Sequence, residues 1–296
     1  MEKTKKQQAA YRIHRALIPV LFLLPGVAFT LILKYYTIVK AVQLSFFKYN
    51  IQDPPGLFVG MNNFVSLFKD SDYWQSWRNT IVFLALNLLL TFVIPIIQAL
   101  FLEQIVKLRS LVSTIYILPA VIPGTINIVL WKWIWNPSYG AANYLLKLFG
   151  GTPQAWLSDT HWVKFCIVFP GILGGGIGVL MYLAAIYGIS EDVKEAAELD
   201  GCTGFKRMFY ITLPNIRFLI FINLVMAVIG SMQMLDNIFQ YTNGGPAMAS
   251  ESVALYIYHC YMKNFNYGLG SAASLTLMLV IALLTFFQLR LNEKQD

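Results

Sequence analysis

The polar side chains that interrupt the long apolar runs of this sequence are mostly amides and hydroxyls. Asn127 stands in one uncharged run, and Asn223, Ser231, Gln233, Asp236 and Asn237 crowd in and just after another. An amide offers a donor and an acceptor without the desolvation cost of a charge, so such groups suit the binding of a hydroxyl-bearing solute rather than bond-making chemistry. On one continuous helix, at about 100° per residue, Gln233 and Asn237 would share a face and Asn223 would fall within roughly 80° of each. Hydrogen bonding between helices accounts equally well for the amides of Asn223, Gln233 and Asn237, and for the lone Asn127 it is the favoured reading over a ligand contact. A catalytic set is missing from the sequence. His14, His161 and His259 are far apart and sit in no H-E-x-x-H or triad-like setting. No G-x-x-x-x-G-K-[ST] loop occurs, which excludes ATP binding in the P-loop manner. Cys166, Cys202 and Cys260 have neither metal nor redox spacing.

A second polar stretch, residues 191–217, separates two apolar runs and is much longer than a turn requires. Ser190 is a candidate N-cap, and the charges of Glu191 and Asp192 suit the positive end of a helix. Val193, Ala196 and Ala197 fall on one side of that helix, and Gly201 can take the left-handed conformation that ends it. Thr203 can cap a second short helix through Phe205, Met208, Phe209 and Ile211. Pro214, tolerated in the first turn of a helix but not deep inside one, marks the start of the next span. A helix, a tight turn and a second helix leading into a membrane make a docking surface rather than a connector.

The elements that position these groups follow from composition. The 296 residues are 57% hydrophobic and 12% charged, with a mean hydropathy of +0.59. Soluble chains average about 25% charged residues, so this is an integral membrane protein. Uncharged runs at 16–33, 79–102, 110–131, 165–190, 218–235 and 264–289 are each long enough, or nearly so, to cross a bilayer. The expected fold is all-α, with six transmembrane helices and the hairpin between helices four and five. The first run follows five basic residues but is too long for a signal peptide and lacks a small-x-small cleavage site. With both termini in the cytoplasm, the internal segments hold 13 of the 22 Lys and Arg residues in about half the length of the external ones, which places the hairpin in the cytoplasm. The chain then reads as a basic cytoplasmic tail (1–15), one transmembrane domain (16–290, with the loop at 190–214) and a short cytoplasmic tail (291–296). The net charge of +7 reflects this topology and contact with membrane lipid, and calls for no nucleic acid.

Several further features have two readings. Trp131, Trp133, Trp135 and Tyr139 sit where an interfacial aromatic belt is expected, although aromatic rings also stack on sugars. Gly171, Gly174, Gly175, Gly176 and Gly178 permit close helix packing or a local break. Thr242-Asn243-Gly244-Gly245-Pro246 is a turn, because Gly and Pro stop helix continuation.

The order Glu195-Ala196-Ala197, three residues, Gly201, nine residues, Ile211, one residue, Leu213-Pro214 resembles the cytoplasmic coupling motif of binding-protein-dependent ABC importer permeases. Thr242, Gly244, Gly245 and Pro246 are similar to the Thr-x-Gly-Gly-Pro signature of the carbohydrate-uptake members, of which the maltose transporter subunits are examples. A Thr common a few residues beyond that signature is replaced here by Ala249-Ser250-Glu251-Ser252. The resemblance implies a multi-pass subunit of a prokaryotic plasma membrane that moves a carbohydrate, an oligosaccharide by expectation, through alternating access. It implies four partners: a second homologous permease, two ATPase subunits that hold ATP and Mg, and an extracellular solute-binding protein. No cofactor is expected on this chain. Under it, Glu195, Ala196, Ala197, Gly201, Ile211, Leu213 and Pro214 couple to the ATPase, while Asn127, Asn223, Gln233, Asp236 and Asn237 line the solute path. The alternative, a secondary transporter or channel acting alone, would require buried ion-coupling charges and an internal repeat; Asp236 is the one acid near a span.

Overall fold

The computed structural model describes residues 18–49, 51, 56–104, 109–174 and 176–293. The basic tail, the turn containing Lys107, Gly175 and residues 294–296 lie outside the described residues. Among the described residues, three helices are long and apolar enough to cross a membrane: α1 (Ile18–Ser45), α3 (Ser71–Glu103) and the last helix, α14 (Tyr267–Glu293). The count rises to five if each of two bent helix pairs is one span.

A short antiparallel pair, β1 (Phe47–Lys48) and β2 (Leu57–Phe58), and helix α2 (Asn62–Lys69) join α1 to α3. Asp70 starts α3 by accepting the Asp72 N–H at 2.9 Å, the usual satisfaction of an orphan N-terminal donor. α3 begins eight residues before the expected Asn79, because the amphipathic turn at Ser71–Arg78 continues the helix beyond the apolar run.

The expected third span at 110–131 is two helices, α4 (Arg109–Val121) and α5 (Gly124–Ile134), neither long enough to pass as a span by itself. Pro123 divides them: it disfavours the helical conformation at Ile122 and takes an extended ψ of 135° itself. Helix α6 (Ala141–Leu148) follows, then α7 (Val163–Leu173) and α8 (Gly176–Tyr187), a bent pair within the expected fourth span, whose glycines permit close packing or such a break. Gly171 packs closely on α3, since a Cβ there would stand 2.5 Å from the Thr91 methyl.

The hairpin is α9 (Glu191–Leu199) and α10 (Phe205–Asn215). α10 meets α11 (Arg217–Met232) at 69°, so the long helix after the hairpin starts three residues beyond Pro214, after a sharp corner at Ile216. Two short helices, α12 (Asp236–Tyr241) and α13 (Val253–Met262), complete the chain before α14.

Three main clusters hold the bundle together. Tyr73, Met232, Val253 and Ala272 join α3, α11, α13 and α14. Phe83, Ile167 and Ile238 join α3, α7 and α12. Ala99, Leu183 and Ile186 join α3 to α8, with Ile216 at the corner beside them. α3 therefore takes part in every one. Large apolar side chains cover the outside of the spans as well, Phe22 and Phe29 among them, a pattern that water would penalise and lipid does not. Between helices in lipid the cohesion is close packing and hydrogen bonding, not the hydrophobic effect.

Candidate functional site

A cavity of about 290 Å³ opens between α3, α5, α7 and the segment around α12. Asn87, Thr91, Asn127, Asn237 and Tyr241 supply its polar groups, and Ile128, Ile167 and Met234 its apolar wall. Among the described residues, none that lines it is charged. Asn87 and Thr91 sit one helical turn apart on α3. The Asn87 amide donates to Phe83 O at 2.9 Å, and the Thr91 hydroxyl donates to Asn87 O at 2.8 Å. The Thr91 hydroxyl also lies 3.4 Å from Asn87 Oδ1, and both side chains line a cavity of amides and hydroxyls that can exchange hydrogen bonds with a hydroxylated solute without a net charge.

The expected solute-path residues divide. Asn127 and Asn237 reach the same cavity. Asn223 does not; its amide donates back to Leu219 O at 3.0 Å and pairs with Tyr182 of α8. Gln233 faces a separate groove beside Ile257, Ser274 and Leu277, and Asp236 is exposed. The shared face expected for Asn223, Gln233 and Asn237 does not exist, because the helix stops at Met232. Gln233 turns out of it with φ −101° and ψ 14°, and Ser252 holds the break by donating to Met234 O at 2.7 Å. Asn87 and Thr91 were not among the expected residues. Their signal was present in the sequence as a polar i, i+4 pair inside a Leu-rich run.

The hairpin exposes Glu195 and Ala196 and buries Ala197, the two alanines lying about 100° apart around α9. Gly201 closes α9 at φ +69°, with Cys202 N–H donating to Ala197 O at 2.7 Å, the left-handed ending that glycine allows. Ser190 occupies the N-cap position without a side-chain cap bond, and Gly204 at φ +55°, not Thr203, precedes α10. Leu213 packs half-buried against the α3–α8 cluster, Ile211 is half-buried, and Pro214 is exposed. Leu199, Phe205, Phe209 and Tyr210 leave a broad apolar surface outward.

The Thr242–Pro246 turn is tied down from several elements. Thr242 and Ser250 share a hydroxyl hydrogen bond of 2.7 Å, and Ser250 donates to Gly245 O at 2.6 Å. Asn79, buried on α3, donates to Met248 O at 2.7 Å and Glu251 O at 2.9 Å. His259 lies between Glu251 Oε1 and Asn243 Oδ1, 3.0 Å from each. Gly244 has φ +89°, and a Cβ there would meet Glu251 Oε2 at 3.0 Å. The serines that replace the expected Thr are thus hydrogen-bonded parts of the turn. Ser252 also caps α13 by accepting the Leu255 N–H.

The expected aromatic belt also divides. Trp133 and Tyr139 face outward, whereas Trp135 is buried against Trp156 at 5.0 Å and Trp131 packs on Phe169 at 5.6 Å. Two of the four aromatics are therefore core.

Residues 99–296 match the family of binding-protein-dependent transport system inner membrane components. With the polar cavity, the hairpin and the apolar helices in place, the chain belongs to that family of membrane permeases. Its sequence is 29% identical over 279 residues to the probable ABC transporter permease protein YurN of Bacillus subtilis, covering 93% of this chain and 95% of that one. It is 30% identical over 278 residues to the lactose transport system permease protein LacF of Rhizobium radiobacter, covering 90% and 91%. Among solved structures, a subunit of a bacterial ABC transporter involved in import of the acidic polysaccharide alginate superposes with a TM-score of 0.87 at 25% identity, covering 97% of this chain and 99% of that one. The alginate ABC transporter in complex with an alginate pentasaccharide-bound periplasmic protein gives a TM-score of 0.85 at 26% identity, covering 94% of each chain.

Proposed function

We propose that this chain is one permease subunit of an ATP-driven importer for a neutral carbohydrate, and that the cavity between Asn127 and Asn237 is its part of the solute path. The observation that carries the reading is the lining of that cavity: amides, hydroxyls and one tyrosine, with no carboxylate, ammonium, guanidinium or imidazole among the described residues. Such a lining suits sugar hydroxyls, as on the lactose of one relative, better than the carboxylates of alginate, which would call for Lys or Arg.

In this reading the chain crosses the plasma membrane six times, with α4 and α5 together forming the third crossing and both termini in the cytoplasm. A second homologous permease completes the channel, and two ATPase subunits carry ATP and Mg. α9 and α10 dock on one ATPase through Glu195, Ala196 and the apolar surface of Leu199, Phe205, Phe209 and Tyr210. An extracellular binding protein delivers the solute near the Thr242–Pro246 turn. ATP-driven closure of the ATPases moves the hairpins together and opens the cavity outward; hydrolysis resets it. The corner at Ile216 connects that movement to α11.

The test is transport by the complex co-expressed with its neighbouring permease, ATPase and binding-protein genes and reconstituted in proteoliposomes. ATP-dependent, saturable uptake of neutral oligosaccharides is the expected result. Uptake restricted to uronate oligosaccharides would overturn the neutral assignment, and uptake independent of ATP would overturn the importer itself.

A further inference from the structure

Helix α6 has its polarity inside out. Asn143 is 3% exposed and uses its whole amide inward. Its Nδ2 donates to Pro137 O and Gln154 O, both at 2.9 Å, and its Oδ1 accepts from Gln154 N at 2.9 Å and Trp156 Nε1 at 2.8 Å. Ala142 and Leu146 pack on the Trp135–Trp156 cluster from the same side. The opposite face presents Tyr144, Leu145 and Leu148, at 66%, 54% and 64% exposure, and Phe149 just beyond the helix is 89% exposed. A surface helix in water places such groups the other way round.

The helix cannot roll over to hide this face without breaking all four bonds to Asn143. The apolar face is also continuous with the outer surface of the neighbouring helix. Val129, Leu130 and Trp133 of α5 are exposed, and the Trp133 ring lies 6.2 Å from Tyr139, which leads into α6. Tyrosine and tryptophan at such a margin match the headgroup level of a bilayer, where an aromatic ring meets both hydrocarbon and water. Lys147, exposed on α6, can extend its ammonium to lipid phosphates while its stem stays in the apolar layer.

We infer that α6 is an interfacial helix lying in the phospholipid surface, with Tyr144, Leu145, Leu148 and Phe149 toward lipid. The loop before α6 and the segment after it flank a cleft whose far wall is Thr242, Gly245 and Pro246. The helix therefore anchors that side of the cleft to the membrane at the face carrying the Thr242–Pro246 turn. The inference goes beyond the transport reading and stands or falls separately from it.

The test uses the full chain with its co-expressed subunits in phosphatidylcholine–phosphatidylglycerol nanodiscs. Leu148→Cys, Phe149→Cys and, as a control on the exposed loop, Thr152→Cys are made in a Cys202→Ser background and labelled with bimane. Spin-labelled phosphatidylcholine should quench bimane at 148 and 149 about twofold or more relative to 152, with aqueous iodide giving the reverse order. Iodide quenching at 148 and 149 as strong as at 152 would overturn the assignment. So would quenching by neither reagent, which would mean that another subunit covers the face. Shielding that develops only when the binding protein is added would assign the face to that protein instead.

Discussion

Arg207 of the hairpin reaches back to Glu103, the last residue of α3. Its Nη2 stands 3.7 Å from Glu103 Oε1, while its Nη1 bonds Glu198 of α9 at 3.0 Å. One guanidinium thus ties both arms of the hairpin to the helix that enters every main cluster of the bundle. Glu103 is only 12% exposed, and α3 carries Asn87 and Thr91 of the cavity. In the proposed transport cycle the pair would give hairpin movement a route to the cavity besides the Ile216 corner. Arg207→Glu should lower transport relative to ATP hydrolysis, and Glu103→Arg with Arg207→Glu should restore much of it. Partial exposure limits the link to about 1 kcal/mol, or about fivefold in the ratio of transport to hydrolysis. Equal loss in the single and double variants would show that the pair carries no coupling.

The two hairpin alanines should differ in how they fail. Ala197 is buried within this chain, so Ala197→Trp should lower the yield of folded permease. Ala196 is exposed, so Ala196→Trp should leave the permease folded but prevent co-purification of the ATPase. Gly201 has open space around its missing Cβ, so substitution there costs backbone strain alone. Gly201→Ala should cost about 1 kcal/mol and Gly201→Asn less, read as the thermal midpoint of the purified complex.

Cavity residues should affect solute affinity, and their neighbours outside it should not. Asn127→Ala and Asn237→Ala should each raise the KM for uptake by about fivefold or more, the loss of one or two solute hydrogen bonds, with basal ATP hydrolysis retained. Gln233→Ala should leave KM unchanged, since its groove is separate. A matching KM change at Gln233 would remove the assignment of the cavity.

Gly244 and Gly245 should tolerate a methyl group unequally. At Gly244 the left-handed backbone and the 3.0 Å approach to Glu251 make Gly244→Ala destabilising by about 1 kcal/mol or more. Gly245 would meet only Thr242 O, at 3.3 Å, and Gly245→Ala should be milder. Thermal unfolding of the two variants side by side gives the comparison.

The native cysteines offer a topology assay. Burial pushes the Cys260 thiol up to about 11, so it stays protonated at neutral pH and should resist maleimide; reactivity would rise only as pH approaches that value. Cys166 is also buried, whereas Cys202 beside Gly201 is half-exposed. An impermeant maleimide should label Cys202 in inverted vesicles and not in intact cells. An Asn243→Cys variant should label from the opposite side. Labelling of both from one side would contradict the six-span arrangement.

Much of the architecture was legible because membrane insertion is a local, additive property. α1, α3 and α14 follow from apolar run length, and α9 from its acidic first turn and terminal glycine. The breaks were less legible. Pro123 was visible, but a proline in a membrane run can be absorbed or can divide the helix, and neighbouring contacts decide which. The end of α11 at Met232 had no local breaker at all; Ser252, nineteen residues beyond Gln233 in sequence, holds the exit through Met234. That is why an extrapolated helical face placed Gln233 and Asn237 together and the structure does not.

By itself the sequence determined that this is a helical membrane permease with a polar hairpin between two apolar stretches, because hydropathy and the spacing of Glu195, Gly201 and Pro214 are carried by near neighbours. Tertiary structure alone decided which amides meet. Asn127 and Asn237 are brought together with Asn87 and Thr91, while Asn223 is spent within its own helix and on Tyr182. It also decided that Trp135 is core and Tyr144 surface, and that Arg207 reaches Glu103. Each of these depends on how helices distant in sequence are rotated against one another. That rotation is set by close packing around glycines such as Gly171 and by hydrogen bonds such as those of Asn79 and Ser252, whose partners no local pattern identifies.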